Sequence, residues 1–115
     1  VWTADASGSV TFVNQTLTAF CGKTEQELLD NWLEIVHAED REAVMSHWLH
    51  CVQSGDAYSI EFRMRRLDGH YIWHLVKAVA VYDTDGKIEK WLGSAMALGT
   101  VAKPGAVKPY STASG

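Results

Sequence analysis

The sequence predicts an α+β domain in which short helices and one long helix pack on one face of a five-stranded antiparallel sheet. A change in the spacing of apolar residues along the chain indicates this fold class. Residues 39–54 repeat apolar side chains every three or four positions, as a helix does, whereas residues 58–64 alternate apolar and polar side chains, as a half-buried strand does. Because two predicted strands precede the helices and three follow them, an antiparallel sheet is favoured over a parallel one.

The first two strands are expected in residues 1–14. The stretches Val1 to Ala4 and Ser9 to Val13 are rich in β-branched and aromatic residues. Between them stands Asp5-Ala6-Ser7-Gly8, whose small and polar residues suit a turn. The segment therefore predicts a hairpin.

Two short helices are expected next. Asn14 is a good N-cap because its side chain accepts from free backbone N–H groups, and Gly22 is placed to end the first helix after Cys21. Thr24-Glu25-Gln26-Glu27 has the form of a capping box, so a second helix begins there and ends near Asn31.

The long helix is predicted from Glu39 to Ser54. Its acidic first turn complements the helix dipole, and Gly55 follows as a stop. The apolar positions at helical spacing are Val44, Met45, Trp48, Leu49 and Val52.

Three strands complete the predicted sheet. The first covers the alternating residues 58–64, and Asp68-Gly69 supplies a tight turn after it. A long β-branched and aromatic run follows from Tyr71 to Tyr82. A second turn at residues 83–86 leads into a last strand from Ile88 to about Leu98.

The chain is expected to hold one domain, residues 1–98, followed by a linker at residues 99–115 that is rich in small residues, Pro and Gly. The first residue is Val1 rather than Met, and it already stands in a strand-like stretch. This predicts a piece of a longer polypeptide with neighbouring domains.

Charge and composition exclude several function classes. Fourteen acidic residues stand against ten basic ones, without a basic cluster, so nucleic acid is not an expected partner. The longest apolar runs fall far short of the ~20 residues that span a bilayer, so membrane insertion is not expected either. The two cysteines lack Cys-x-x-Cys spacing, which favours a reducing compartment and a cytoplasmic location.

The order of elements and a series of short motifs resemble a PAS domain, over residues 1 to about 98. The matching stretches are Trp2, Asp5-x-x-Gly8, Phe12-Val13-Asn14, Cys21-Gly22, Thr24-x-x-Glu27-Leu28, Val36-His37-Ala38-Glu39-Asp40-Arg41, Glu61-Phe62-Arg63, Asp68-Gly69, Trp73, Asp83-x-x-Gly86 and Trp91-x-Gly93. Two positions depart from the family pattern. Ala38 stands where Pro usually follows His, and Ala97-Leu98-Gly99 replaces the Asp-Ile-Thr-like ending through which signals usually leave the domain.

The resemblance implies a sensory or regulatory module, not itself a catalyst, within a signalling protein such as a sensor histidine kinase. It would bind a small ligand or relay a signal to an attached effector domain. Such relatives hold cofactors between the long helix and the sheet. The residues expected to line this pocket are Trp48, Leu49, Val52, Ile60 and Phe62. The alternative is that these five residues fill the core and leave no room.

Haem and flavin are not expected as cofactors, so the identity of a ligand stays open. Oxygen-sensing relatives ligate haem through a histidine of the long helix, but on a helical wheel His50 points away from the apolar arc and His47 lies outside its edge. Light-sensing relatives carry an Asn-Cys-Arg-Phe-Leu-Gln stretch, which this sequence lacks.

No metal site and no catalytic residue are predicted. His47 and Cys51 are one helical turn apart, and His37 is a conceivable third ligand, but zinc sites need three or four ligands at recognisable spacing. The same His47–Cys51 pair lacks an orienting acid and an oxyanion hole, which thiol catalysis would need. His37 and Asp40 are instead expected to bond local backbone and start the long helix.

Both faces of the long strand 71–82 are apolar, although helices are expected to cover only one of them. The outer face is therefore expected to be an interface, and we predict a homodimer formed through it. The predicted contact residues are Glu61, Arg63, Tyr71, Trp73 and Leu75. A dimerisation and interaction module without a ligand is the competing interpretation of the whole chain.

Overall fold

The computed structural model describes residues 1–99 of the 115-residue chain. Five strands form one antiparallel sheet with the spatial order β2-β1-β5-β4-β3. The strands are β1 (Trp2–Asp5), β2 (Val10–Val13), β3 (Tyr58–Arg65), β4 (Tyr71–Tyr82) and β5 (Ile88–Gly99). The predicted fold class is confirmed. The predicted linker begins at Gly99, the last residue of β5, and its remainder lies outside the described residues.

Three α-helices and two 3-10 turns lie between β2 and β3. They are α1 (Gln15–Cys21), α2 (Glu25–Asn31), the turns Trp32–Ile35 and Ala38–Asp40, and α3 (Arg41–Ser54). The predicted caps are present: Asn14 accepts from Leu17, Thr24 and Glu27 form a capping box, and Gly55 ends α3 with φ 82°. Within residues 1–99, no helix is long and apolar enough to cross a membrane.

Trp48 joins the helical layer to the sheet. Its ring lies edge-on to Trp2 at 5.6 Å, to Trp91 at 5.2 Å and to Tyr58 at 5.0 Å between centroids. Its indole Nε1 donates to the Gly8 carbonyl oxygen at 3.0 Å, so the β1–β2 turn is also fixed to α3. Such aromatic pairs add about 0.5–1.5 kcal/mol each beyond the area that they bury.

The start of α3 is fixed to the sheet edge by a buried carboxylate. Asp40 is 1% exposed and accepts from the Arg63 backbone N–H at 2.9 Å, from Nε at 2.9 Å and from Nη2 at 2.6 Å. The prediction that Asp40 bonds local backbone is therefore wrong, since its partner lies on β3. The prediction for His37 is confirmed, because its Nδ1 accepts from the Glu39 N–H at 3.1 Å.

A buried histidine faces the helices from β4. His74 is 4% exposed, its Nδ1 lies 2.9 Å from the Ile72 carbonyl oxygen, and its ring meets Phe20 edge-on at 4.8 Å. Burial disfavours the imidazolium and lowers the pKa of His74 below its ordinary value of 6.5, although the bond with Ile72 opposes this. The core therefore contains a group that resists protonation.

We expect Asp40→Asn to lower the free energy of unfolding by about 2 kcal/mol, because it replaces charge-assisted hydrogen bonds by neutral ones. Asp68→Asn is the matched control, since Asp68 also pairs with an arginine, at 2.7 Å, but its side chain is 48% exposed. The control should lose less than about 1 kcal/mol. Urea unfolding measures both, and equal losses would contradict a special role for Asp40.

Acidification should destabilise the domain through His74. Because its pKa is lower in the folded chain, the unfolded chain binds more protons below about pH 6.5. The free energy of unfolding should be greatest above about pH 6.5. It should fall as the pH drops towards the pKa that His74 has in the folded chain. His74→Phe should reduce the pH dependence of the free energy of unfolding, measured by urea unfolding between about pH 7.5 and 5.5. A smaller pH dependence should remain in this variant, because burial also lowers the pKa of His47.

The control for this titration is Val76→Ala, which shortens a buried side chain of β4 that has no titratable group. It should lower the free energy of unfolding and keep the wild-type pH slope. A His74→Phe variant that also keeps the full slope would contradict the assignment to His74.

Candidate functional site

A cavity of about 60 Å³ lies between the helices and the sheet. At roughly 10–15 Å³ for each water-sized sphere, this is room for about four to six of them. A cavity of about 150 Å³ holds benzene, so this one takes a group of about two or three carbon atoms. Haem and flavin are far larger. The lining side chains are Trp2, Val10, Val13, Leu17, Leu28, Trp32, Ile35, Val36, Trp48, Tyr58, Phe62, Met64, Val76 and Ala95. We call this space the inner cavity.

The residues predicted to line a pocket are only partly brought together. Trp48 and Phe62 line the inner cavity. Ile60 is fully buried in the core without lining it, and Val52 is half-buried beside the β1–β2 turn. Leu49 is 48% exposed, so the prediction that it faces the sheet is wrong. The buried stripe of α3 runs through Val44, Trp48 and Cys51, and Leu49 is turned away from it.

Most of the lining was missed by the sequence prediction, because it comes from the N-terminal half of the chain. The hairpin contributes Val10 and Val13, and the 3-10 turn contributes Trp32 and Ile35. Their placement depends on β1 lying beside β5, a pairing that joins residues about 90 positions apart. The dense apolar run from Trp32 to Val36 was the local signal that a further buried segment precedes α3.

A second depression opens at the surface beside the inner cavity. It measures about 360 Å³ and lies between the β1–β2 turn, the end of α2 and the exposed flank of α3. We call it the surface groove. Its lining residues are Ser7, Gly8, Ser9, Val10, Leu29, Asp30, Asn31, Trp32, Leu33, Met45, Trp48 and Leu49.

The His47 and Cys51 side chains do meet, but burial opposes thiol chemistry there. Cys51 Sγ lies 3.8 Å from His47 Nε2, and the His47 ring stacks on Tyr58 at 5.1 Å. Burial, followed by the charge of Asp56, raises the pKa of the Cys51 thiol to about 11. At neutral pH the sulfur therefore stays protonated, and a thiol is a poor nucleophile and metal ligand. In the described part of the chain, no three His, Cys, Asp or Glu side chains cluster as metal ligands.

The predicted contact residues on the outer face are largely occupied within the chain. Trp73 is 6% and Glu61 4% exposed, so the two side chains are too buried within the chain to form the predicted contact with a second copy. The Arg63 guanidinium, which pairs with Asp40, lies over the Trp73 ring at 5.1 Å. Tyr71 is half-buried and meets the His37 ring at 4.7 Å. Leu75 is also half-buried.

Exposed apolar side chains lie instead towards the other end of the outer face. One row of paired residues crosses four strands of the sheet: Phe12 on β2, Thr3 on β1, Leu92 on β5 and Val79 on β4. The three large apolar residues of this row are Phe12, Leu92 and Val79. They are 44%, 42% and 53% exposed, and Met96, on the same face of β5, is 56% exposed. We call Phe12, Val79, Leu92 and Met96 the outer apolar row.

Comparison with known proteins identifies the family. The PAS fold family matches residues 10–95, which is more than half of the chain. The peroxide stress-activated histidine kinase mak1 of Schizosaccharomyces pombe is 28% identical over 95 residues, covering 82% of this chain and 6% of that protein. The chain spans 11% of another curated relative, so it matches a small part of each of these two longer proteins.

Solved structures share the fold. The N-terminal domain of a diguanylate cyclase with PAS/PAC sensor from Marinobacter aquaeolei has a TM-score of 0.73 and 21% identity, covering 84% of this chain and 91% of that one. The PAS-B domain of Drosophila melanogaster Cycle, with bound ethylene glycol, has a TM-score of 0.66 and 22% identity, covering 84% and 97%. The chain therefore belongs to the PAS family.

Proposed function

We propose that this PAS domain senses a small, largely apolar molecule in its inner cavity. The observation that carries the proposal is a space of about 60 Å³ whose lining side chains are almost all apolar. An apolar lining favours an apolar guest, because it offers a water molecule few hydrogen-bond partners. The Cycle PAS-B domain, which shares the fold, has been solved with bound ethylene glycol.

The position of the inner cavity supports a signalling role. Its lining residues come from all five strands, from all three helices and from the turn Trp32–Ile35. A bound molecule would therefore contact both layers of the domain at once and favour whichever arrangement of helices and sheet fits it better. We infer that the chain relays this change to an attached effector domain, as part of a sensor histidine kinase or a similar protein. Its two free, buried cysteines support a cytoplasmic location.

A second candidate function, a dimerisation module, is favoured by the outer apolar row. Four large apolar side chains that are each more than 40% exposed on one sheet face form a patch of the kind that marks an interface. A two-fold pairing of this face with a second copy would cover the row on both chains. We therefore propose a homodimer through the outer face, centred on Leu92 rather than on Trp73.

Cavity filling tests ligand sensing. Ala95→Leu places three further carbon atoms in the inner cavity and should abolish binding of xenon, which we would measure by xenon NMR, while the fold persists. Ala97→Leu is the matched control, because Ala97 lies on the same face of β5 but does not line the inner cavity. It should keep xenon binding. A wild-type chain that binds no xenon would favour the ligand-free interpretation.

Charge on the outer apolar row tests dimerisation. Leu92→Asp should weaken self-association at least about tenfold, because the interface would have to bury an unpaired carboxylate. Leu67→Asp is the control: Leu67 is 71% exposed and lies in the β3–β4 hairpin, so this variant should associate as the wild type does. Sedimentation velocity measures both. A wild-type monomer at tens of micromolar would contradict the proposed dimer.

A further inference from the structure

Three side chains border both the inner cavity and the surface groove. Val10, Trp32 and Trp48 line both spaces. The groove is more open to solvent than the inner cavity, so these residues stand where the groove meets the cavity. A molecule that enters the inner cavity along this side has to displace at least one of them.

The three residues differ in how firmly the surrounding structure fixes them. Trp48 is 3% exposed and fixed by its hydrogen bond to the Gly8 carbonyl oxygen, so it forms a rigid wall. Val10 lies on the edge strand β2, next to a register shift where β1 and β2 pair irregularly. Trp32 is half-buried and begins a 3-10 turn whose preceding residue, Asn31, makes no side-chain cap. Val10 and Trp32 are therefore the movable sides of the passage.

The surface groove differs from the inner cavity in polarity. Its lining includes the apolar Leu49 together with four exposed polar residues at its rim, which are Ser7, Ser9, Asp30 and Asn31. Asp30 is the charged residue of this lining, and a second carboxylate, Asp5, stands in the adjacent turn with Oδ1 accepting from Ser7 and Ser9. The rim thus offers hydrogen-bonding groups to a polar molecule and repels an anion.

We propose that the inner cavity and the surface groove form one site for an amphipathic molecule with a short apolar end and a neutral or cationic polar end. This inference rests on the proposed sensing function and specifies its ligand class. The apolar end, of which about two or three carbon atoms fit, occupies the inner cavity. The polar end stays in the groove beside Asp30, and the molecule passes between Val10 and Trp32. Leu49, which is too exposed for a core residue, packs against the part of the molecule in the groove.

The test compares three probes of equal chain length on the full 115-residue chain: 1-hexylamine, 1-hexanol and hexanoate at about pH 7. Methyl NMR signals of Leu28 and Val76 report on the inner cavity, and those of Leu29 and Leu49 report on the groove. The amine and the alcohol should shift both sets with one dissociation constant. Hexanoate should bind at least about tenfold more weakly, because its carboxylate meets Asp30.

Asp30→Lys should reverse this order, so that hexanoate binds more tightly than 1-hexylamine. Asp85→Lys makes the same charge change in the exposed β4–β5 turn and is the matched control, which should keep the wild-type order. An order that Asp30→Lys leaves unchanged would overturn the groove as the site of the polar end. Probe shifts confined to the groove signals would overturn its continuity with the inner cavity.

Xenon binding distinguishes a failure of the joined site from a failure of the proposed sensing function. Xenon binding without a response to any hexyl probe would overturn the joined site and leave the sensing cavity standing. If neither xenon nor any hexyl probe binds, the proposed sensing function and this inference are both overturned.

Discussion

The ion pair between Asp40 and Arg63 fixes the helical layer to the sheet, and the position of the site depends on it. β3 is an edge strand, and its unpaired backbone groups have to be satisfied or covered. Asp40 accepts from the Arg63 N–H, His37 donates its backbone N–H to the Arg63 carbonyl oxygen at 3.0 Å, and Val36 bridges Met64. Residues 36–40 thus complete the edge of β3 and set where α3 begins.

Once its start is fixed, α3 presents Trp48 to the middle of the sheet. There the Trp48 ring fits among Trp2, Trp91 and Tyr58, and the sheet has to leave room for these rings. Gly93 shows how tight this fit is, because a Cβ at that position would overlap the Trp2 indole. The inner cavity lies beside this cluster, because Trp2, Trp48 and Tyr58 also line it. The same side chains that stabilise the core therefore also shape the site.

Local signals were enough to predict the elements but not the site. Asn14, the Thr24–Glu27 box and Gly55 act within one helical turn, so their roles can be deduced from adjacent residues. Asp40 accepts a hydrogen bond from Arg63, which lies 23 positions further along the chain. No residue close to Asp40 in the sequence indicates this partner. The phase of α3 was misjudged in the same way: the buried stripe includes Cys51 and not Leu49, because Cys51 faces the residues that lead into β3.

Arg63 connects the two faces of the sheet. Its backbone and Nη2 contact the carboxylate that begins α3, while its guanidinium also lies over Trp73 on the outer face. A shift of α3 that lengthens the Asp40 contact would therefore change how Arg63 covers Trp73. The Asp-Ile-Thr-like ending through which PAS domains usually pass signals is replaced by Ala97-Leu98-Gly99 at the end of β5. The β3 edge, where Arg63 meets Asp40, lies at the opposite side of the sheet from the hairpin that borders the surface groove.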